Sequence, residues 1–126
     1  MSKKYFTLEE ANLLLPVMKR ELEILQAIHQ KFEDKYLALQ TYKENENDEA
    51  NIFSMECDLE FLQIEANTHM QNIQLQGVEL KSIETGLIDF PSIKNGEEIL
   101  LCWKLGEPSI QYSHGIHEGF NGRKKL

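Results

Sequence analysis

Apolar residues recur along the first third of the chain at Leu8, Ala11, Leu15, Met18, Leu22, Leu25, Phe32, Tyr36 and Leu39, with His29 taking one place in the series. The steps alternate between three and four, which keeps all of these positions on one stripe of an α-helix. Thr7-Leu8-Glu9-Glu10 ahead of the stripe has the form of a capping box, in which the Thr7 hydroxyl accepts from the residue-10 amide and Glu10 reaches back. Pro16 interrupts the pattern and predicts a kink near residues 12–16, because it removes one helical amide. A second seam runs through Ile52, Met55, Leu59, Leu62, Ala66, His69 and Ile73, again with one histidine. The polar stretch TYKENENDEAN separates the two. The pattern predicts a helix over about 7–40, a turn over about 41–50 and a helix over about 51–76, with Gly77 as the stop.

After Gly77 the period changes from helical to two. Val78–Ile83 alternates apolar and polar residues, Gly86–Pro91 is a short second run closed by proline, and Glu98–Lys104 is a third run with an apolar centre. Asn95-Gly96 between the last two is a strong hairpin signal, since both residues tolerate positive φ. Ser109–Tyr112 completes a fourth. All seven glycines lie at or after position 77. The fold class expected is therefore α+β: a long antiparallel helical hairpin over 1–76, then a small antiparallel β-meander over 77–126 packed on it, as one structural domain.

A hairpin of this length buries one stripe per helix. Ile24, Ile28, Phe53, Phe61 and Ile64 are expected beside the stripe, widening it, and they need cover. A homodimer in which hairpins pair into four helices is the expected source of that cover. A register that faces Leu39 with Ile52 puts His29 near Leu62 and His69 near Leu22, so the two histidines read as polar seam residues rather than a pair. Protonation of such residues, at an ordinary pKa of ~6.5, is expected to loosen the seam.

Composition bounds the function. The net charge is −8, of which −7 falls on residues 1–76 and −1 on the remainder, so phosphate backbones are repelled and no nucleic-acid binding is expected. No run approaches the ~18 apolar residues of a membrane span, and MSKKYFTLEE has no apolar signal core. With two cysteines, Cys57 and Cys102, a reduced cytoplasmic setting is expected.

Residues 100–126 hold the chemistry-bearing side chains. Imidazole, thiolate and carboxylate ligands suit a divalent metal, and His114, His117 and Glu118 form the sharpest spacing for one, with Cys102, Asp89 or Glu107 as further donors. Asp89, Trp103, Glu107, His114 and Arg123 are the candidate ligand-binding set: Arg123 presents a planar fork to an anion and the glycine-flanked loop 119–122 lets amides approach. The plainer reading pairs Arg123 with Asp89 or Glu107. Cys102 with His114 as base would be a nucleophile; a cysteine inside Leu-Leu-Cys-Trp is more often a small core residue. No P-loop, G-x-G-x-x-G, H-E-x-x-H or C-x-x-C is present, no cofactor is identified and no catalytic constellation is complete. Two functions follow: a non-catalytic oligomeric interaction module with a protein partner, or a small-ligand or metal site in residues 89–123.

Several motifs occur together in order: Phe6-Thr7-Leu8-Glu9-Glu10-Ala11-Asn12 with Leu14-Leu15-Pro16, Gly77–Lys81, Gly86-Leu87-Ile88-Asp89-Phe90-Pro91, Leu101–Pro108, His114 and Gly119–Arg123. On these the chain resembles a family of small prokaryotic proteins, the domain of unknown function numbered 2203. The resemblance implies a long helical hairpin followed by a small compact region, and it implies no activity.

Overall fold

The computed structural model describes residues 3–126. Helix α1 spans Leu8–Asn45 and α2 spans Glu49–Leu75. They are followed by β1 (Glu79–Ser82), β2 (Leu87–Lys94), β3 (Glu97–Lys104), β4 (Tyr112–Gly115), a 3-10 turn at Phe120–Gly122 and β5 (Lys124–Lys125). The five strands form one antiparallel sheet in sequence order. This is the α+β hairpin-then-meander architecture, with β4 at Tyr112–Gly115 rather than over Ser109–Tyr112 and a fifth strand beyond those the alternation predicts.

The caps act as the sequence predicts. The Glu10 amide donates to Thr7 Oγ1 at 3.1 Å and the Thr7 amide donates to Glu10 Oε1 at 2.8 Å. The helices run closer together in sequence than expected: α1 continues to Asn45, and Asp48 already caps α2 by accepting from the Ala50 and Asn51 amides. Local bonds explain the shorter turn. Asn45 Nδ2 donates to the Thr41 carbonyl, and Asn51 donates to the Tyr42 hydroxyl across the gap, so polar residues that read as loop serve the last helical turn instead. α1 also runs through Pro16 as one helix. Glu21 against His69 at 2.6 Å and Lys35 against Asp58 at 3.6 Å fix the antiparallel register, which places His69 beside Leu22 as predicted.

One side of the sheet meets the helices. Ile88 and Phe90 of β2 and Leu101 and Trp103 of β3 pack against Ala11, Leu15, Met18, Leu22 and Leu25 of α1, with Ile73 from α2. Each fully buried Leu, Ile or Phe stabilises by roughly 1.5–3 kcal/mol. Phe6 closes the edge, edge-on to Phe90 with centroids 5.3 Å apart. β2 does not end at Pro91 but passes through it. The Pro91 carbonyl accepts from the Phe6 amide, so its nitrogen also faces away from β3 and the ring removes no bond of that ladder.

The core is unequal. α1 contributes seven buried residues and α2 only Leu62 and Ile73. Ile28 is buried and Ile24 half-buried, so these two widen the seam as expected. Phe53, Phe61 and Ile64 do not: they are 68%, 68% and 61% exposed. At ~100° per residue Phe53 and Ile64 fall opposite Leu62 and Ile73, and Phe61 lies on the flank between, roughly 100–120° from them.

Candidate functional site

Strand alternation gives the sheet a second face, away from the helices, and its buried polar residues stand there. Asp89 on β2 lies directly across from Cys102 on β3. His114 on β4 lies across from Leu100, one diagonal step from Cys102. All three side chains are buried, and Asp89, Cys102 and His114 bring one ligand atom each within 4.8 Å of one another. They are the one such group of three His, Cys, Asp or Glu among the described residues.

Each bond in this group constrains the next. His114 Nδ1 lies 2.8 Å from the Gly115 carbonyl, which can only accept, so Nδ1 carries the proton and donates. Nε2 faces Asp89, 3.2 Å from Oδ1 and 3.1 Å from Oδ2, a contact that holds a second proton between the nitrogen and the carboxyl. Burial pushes the Asp89 carboxyl above the ordinary carboxylate range, opposed by the charge and hydrogen bond of His114 and by the Cys102 hydrogen bond. Burial and then the Asp89 charge push the Cys102 thiol up to about 12, with Arg123 acting in the opposite sense. Cys102 is therefore a thiol at neutral pH, and His114 addresses Asp89 rather than sulfur, so the pair lacks the geometry of a nucleophile and its base.

Arg123 belongs to a neighbouring set. Its guanidinium carbon sits 4.1 Å from the centroid of Tyr112 and 4.6 Å from that of Phe120. Nη2 donates to both Glu107 oxygens, at 2.6 and 2.8 Å, and to the Cys102 carbonyl at 3.3 Å. Arg123 Nε is buried without a partner. Glu107 also accepts from the Lys104 amide at 2.7 Å, while its own carbonyl accepts from Trp103 Nε1 at 3.0 Å. Glu107 thus closes the turn after β3 and neutralises Arg123.

The candidate ligand-binding set therefore divides into Asp89 with His114 and Glu107 with Arg123, joined only at Cys102. Trp103 turns to the helix side. There it lines, with Asn12, Leu15, Pro16 and Lys19, an open groove of ≈ 590 Å³, which of the four charged candidates only Glu107 reaches. Two polar groups of that groove are already engaged: Asn12 Oδ1 accepts from the Ile110 amide at 2.9 Å, and the Trp103 indole N–H donates to the Glu107 carbonyl. His117 and Glu118 are exposed, and Glu118 folds back to accept from the Gly115 amide at 2.8 Å, so these two do not join His114. The grouping of Asp89 with Cys102 has no local sequence signature. It comes from the β2–β3 register, which the Asn95-Gly96 turn sets. His29 and His69 each stand against a carboxylate, Glu33 and Glu21.

Among the described residues no helix is long and apolar enough to cross a membrane. A family model described as uncharacterized conserved protein (DUF2203) matches residues 4–126. No curated protein and no solved structure matches the chain.

Proposed function

The chain belongs to the DUF2203 family, and from that premise we propose that it is a non-catalytic module that self-associates through its helical hairpin. The observation that carries this reading is the second apolar stripe of α2. Phe53, Cys57, Phe61, Ile64 and Leu75 share one side of the helix, and four of the five are more than 60% exposed. Aligned apolar side chains on a helix surface mark a protein contact.

The magnitude is that of a concentration-dependent contact. Phe53, Phe61 and Ile64 would each gain roughly 1.5–3 kcal/mol on full burial, and about two-thirds of that from their present exposure. Six such side chains across a two-fold contact yield about 6–12 kcal/mol, the same order as the roughly 4–15 kcal/mol cost of association. The rim sets the salt dependence. α2 carries Glu49, Glu56, Asp58, Glu60 and Glu65 and no lysine or arginine, so two α2 helices meeting stripe to stripe repel at their edges. Added salt screens that repulsion and strengthens the pairing.

Sedimentation equilibrium tests this. The expected result is a dimer at tens of micromolar, tighter at high salt, that Phe61→Glu returns to monomer with helical circular dichroism unchanged. Wild-type protein that remains monomeric at high salt overturns the reading.

A further inference from the structure

We propose that Asp89, Cys102 and His114 form a binding site for a borderline-soft divalent cation, of which zinc is the type. The proposal is independent of hairpin pairing, because the three residues lie on the sheet face away from the helices.

Four features converge. First, a carboxylate oxygen, a sulfur and an imidazole nitrogen are three kinds of donor that zinc accepts together, whereas magnesium and calcium favour oxygen alone. Second, the spacing fits. Bonds of about 2.0–2.3 Å in a tetrahedron put donor atoms about 3.3–3.8 Å apart, and the three donors here lie within 4.8 Å of one another, with His114 Nε2 3.1 Å from Asp89 Oδ2. Small side-chain movements close the rest. Third, His114 is already oriented as a ligand. Its Nδ1 is held by the Gly115 carbonyl, which fixes the tautomer and leaves Nε2 to the cluster, as a backbone carbonyl behind a metal-bound histidine does. Fourth, the charges balance. With Cys102 as thiolate and Asp89 as carboxylate, two negative charges meet a doubly positive ion in a site where all three side chains are buried. As the ion enters, the Cys102 thiol proton and the proton shared between His114 Nε2 and Asp89 both pass to solvent.

The scaffold is rigid, since the three ligands come from three adjacent hydrogen-bonded strands. Three protein donors leave one tetrahedral position for a water. His117 and Glu118 take no part.

Cobalt(II) titration of the chelator-treated full chain under reducing conditions is the test, because a cobalt–thiolate bond shows a near-ultraviolet charge-transfer band. The expected result is one equivalent bound with that band and with visible bands of tetrahedral intensity, all displaced by zinc. Cys102→Ser removes the charge-transfer band. His114→Gln weakens binding by more than the roughly 10–100-fold that loss of an outer partner costs. His117→Ala and Cys57→Ser leave the spectrum unchanged. Should Cys102→Ser or His114→Gln lose its fold, wild type and Cys57→Ser still decide, since Cys57 is the other of two thiols in the chain. Folded wild-type protein with no charge-transfer band overturns the proposal and leaves a metal-free hydrogen-bonded network. A band that disappears in Cys57→Ser overturns it as well.

Discussion

Glu107→Ala removes two functions at once, and the structure gives their sizes separately. The Arg123 side chain is 11% exposed and that of Glu107 is 23% exposed, so the pair is largely desolvated. Breaking a fully buried pair costs about 3–5 kcal/mol, because one charge stays behind unpaired. The residual exposure here lowers that to about 2–3 kcal/mol, and the guanidinium keeps the neutral Cys102 carbonyl in place of a counter-charge. The same substitution frees the half-buried Lys104 amide, which adds about 1–2 kcal/mol. The expected loss is thus about 4 kcal/mol, a large share of the roughly 5–15 kcal/mol that holds an ordinary domain.

Urea unfolding of a double-mutant cycle separates the parts. Arg123→Met keeps an apolar stem between Tyr112 and Phe120 and should cost about 1.5 kcal/mol. With no cation left to strand, Glu107→Ala in that background should add only the amide penalty, giving a coupling energy of about 2–3 kcal/mol. Glu107→Gln retains an acceptor for Lys104 and should fall between wild type and Glu107→Ala. Additive losses in the double mutant, or a loss under about 1 kcal/mol for Glu107→Ala, would refute the assignment of Arg123 and Glu107 as a mutually dependent pair.

Two further outcomes follow from single side chains. The folded Cys102 thiol holds its proton up to about 12 against an ordinary 9.0, so its contribution to stability is complete below about pH 9 and is lost as pH rises through that window. In chelating buffer, the stability advantage of wild type over Cys102→Ala should shrink by about 1.4 kcal/mol between about pH 8 and about pH 10, and a constant difference would contradict the shift. Gly86 and Gly96 both have positive φ, but a Cβ on Gly86 would stand 2.5 Å from Leu105 Cβ, whereas one on Gly96 meets nothing within 4 Å. Gly96→Ala should cost about 1–2 kcal/mol and Gly86→Ala about 2–4 kcal/mol by urea midpoint; equal costs would show that Leu105 moves aside freely.

The candidate site was only half legible in the chain. The pairing of Arg123 with Glu107 is among the sequence readings, because a desolvated arginine needs a carboxylate and the same region of the chain offers Asp89 and Glu107. The company of His114 was legible only in part: Asp89 and Cys102 stand among its further donors, behind His117 and Glu118. Spacing along one segment suggests His117 and Glu118, but a β-strand turns neighbouring side chains to opposite faces, and the loop after β4 carries those two out to the surface. α2 shows a different kind of miss. Phe53, Phe61 and Ile64 are in plain sight, yet only counting their angle around the helix separates a stripe beside the seam from a stripe behind it.

What the chain determines by itself is local. The capping box at Thr7, the two three-four seams, the glycine stop at Gly77 and the Asn95-Gly96 hairpin each depend on bonds and sterics within a few residues, and each stands in the structure except that Leu8 and Tyr36 of the first seam are exposed. What only the tertiary structure decides is which elements share a neighbour. Pro91 survives inside a strand because Phe6, far away in sequence, takes its carbonyl. α1 supplies most of the buried helix side of the core, while α2 adds Ile73 with Ala66 and Met70 beside it. Asp89, Cys102 and His114 meet because three strands align on one face. The reason is physical: propensity and period act over a few residues, while register and the choice of face are set by the burial of the whole apolar surface at once.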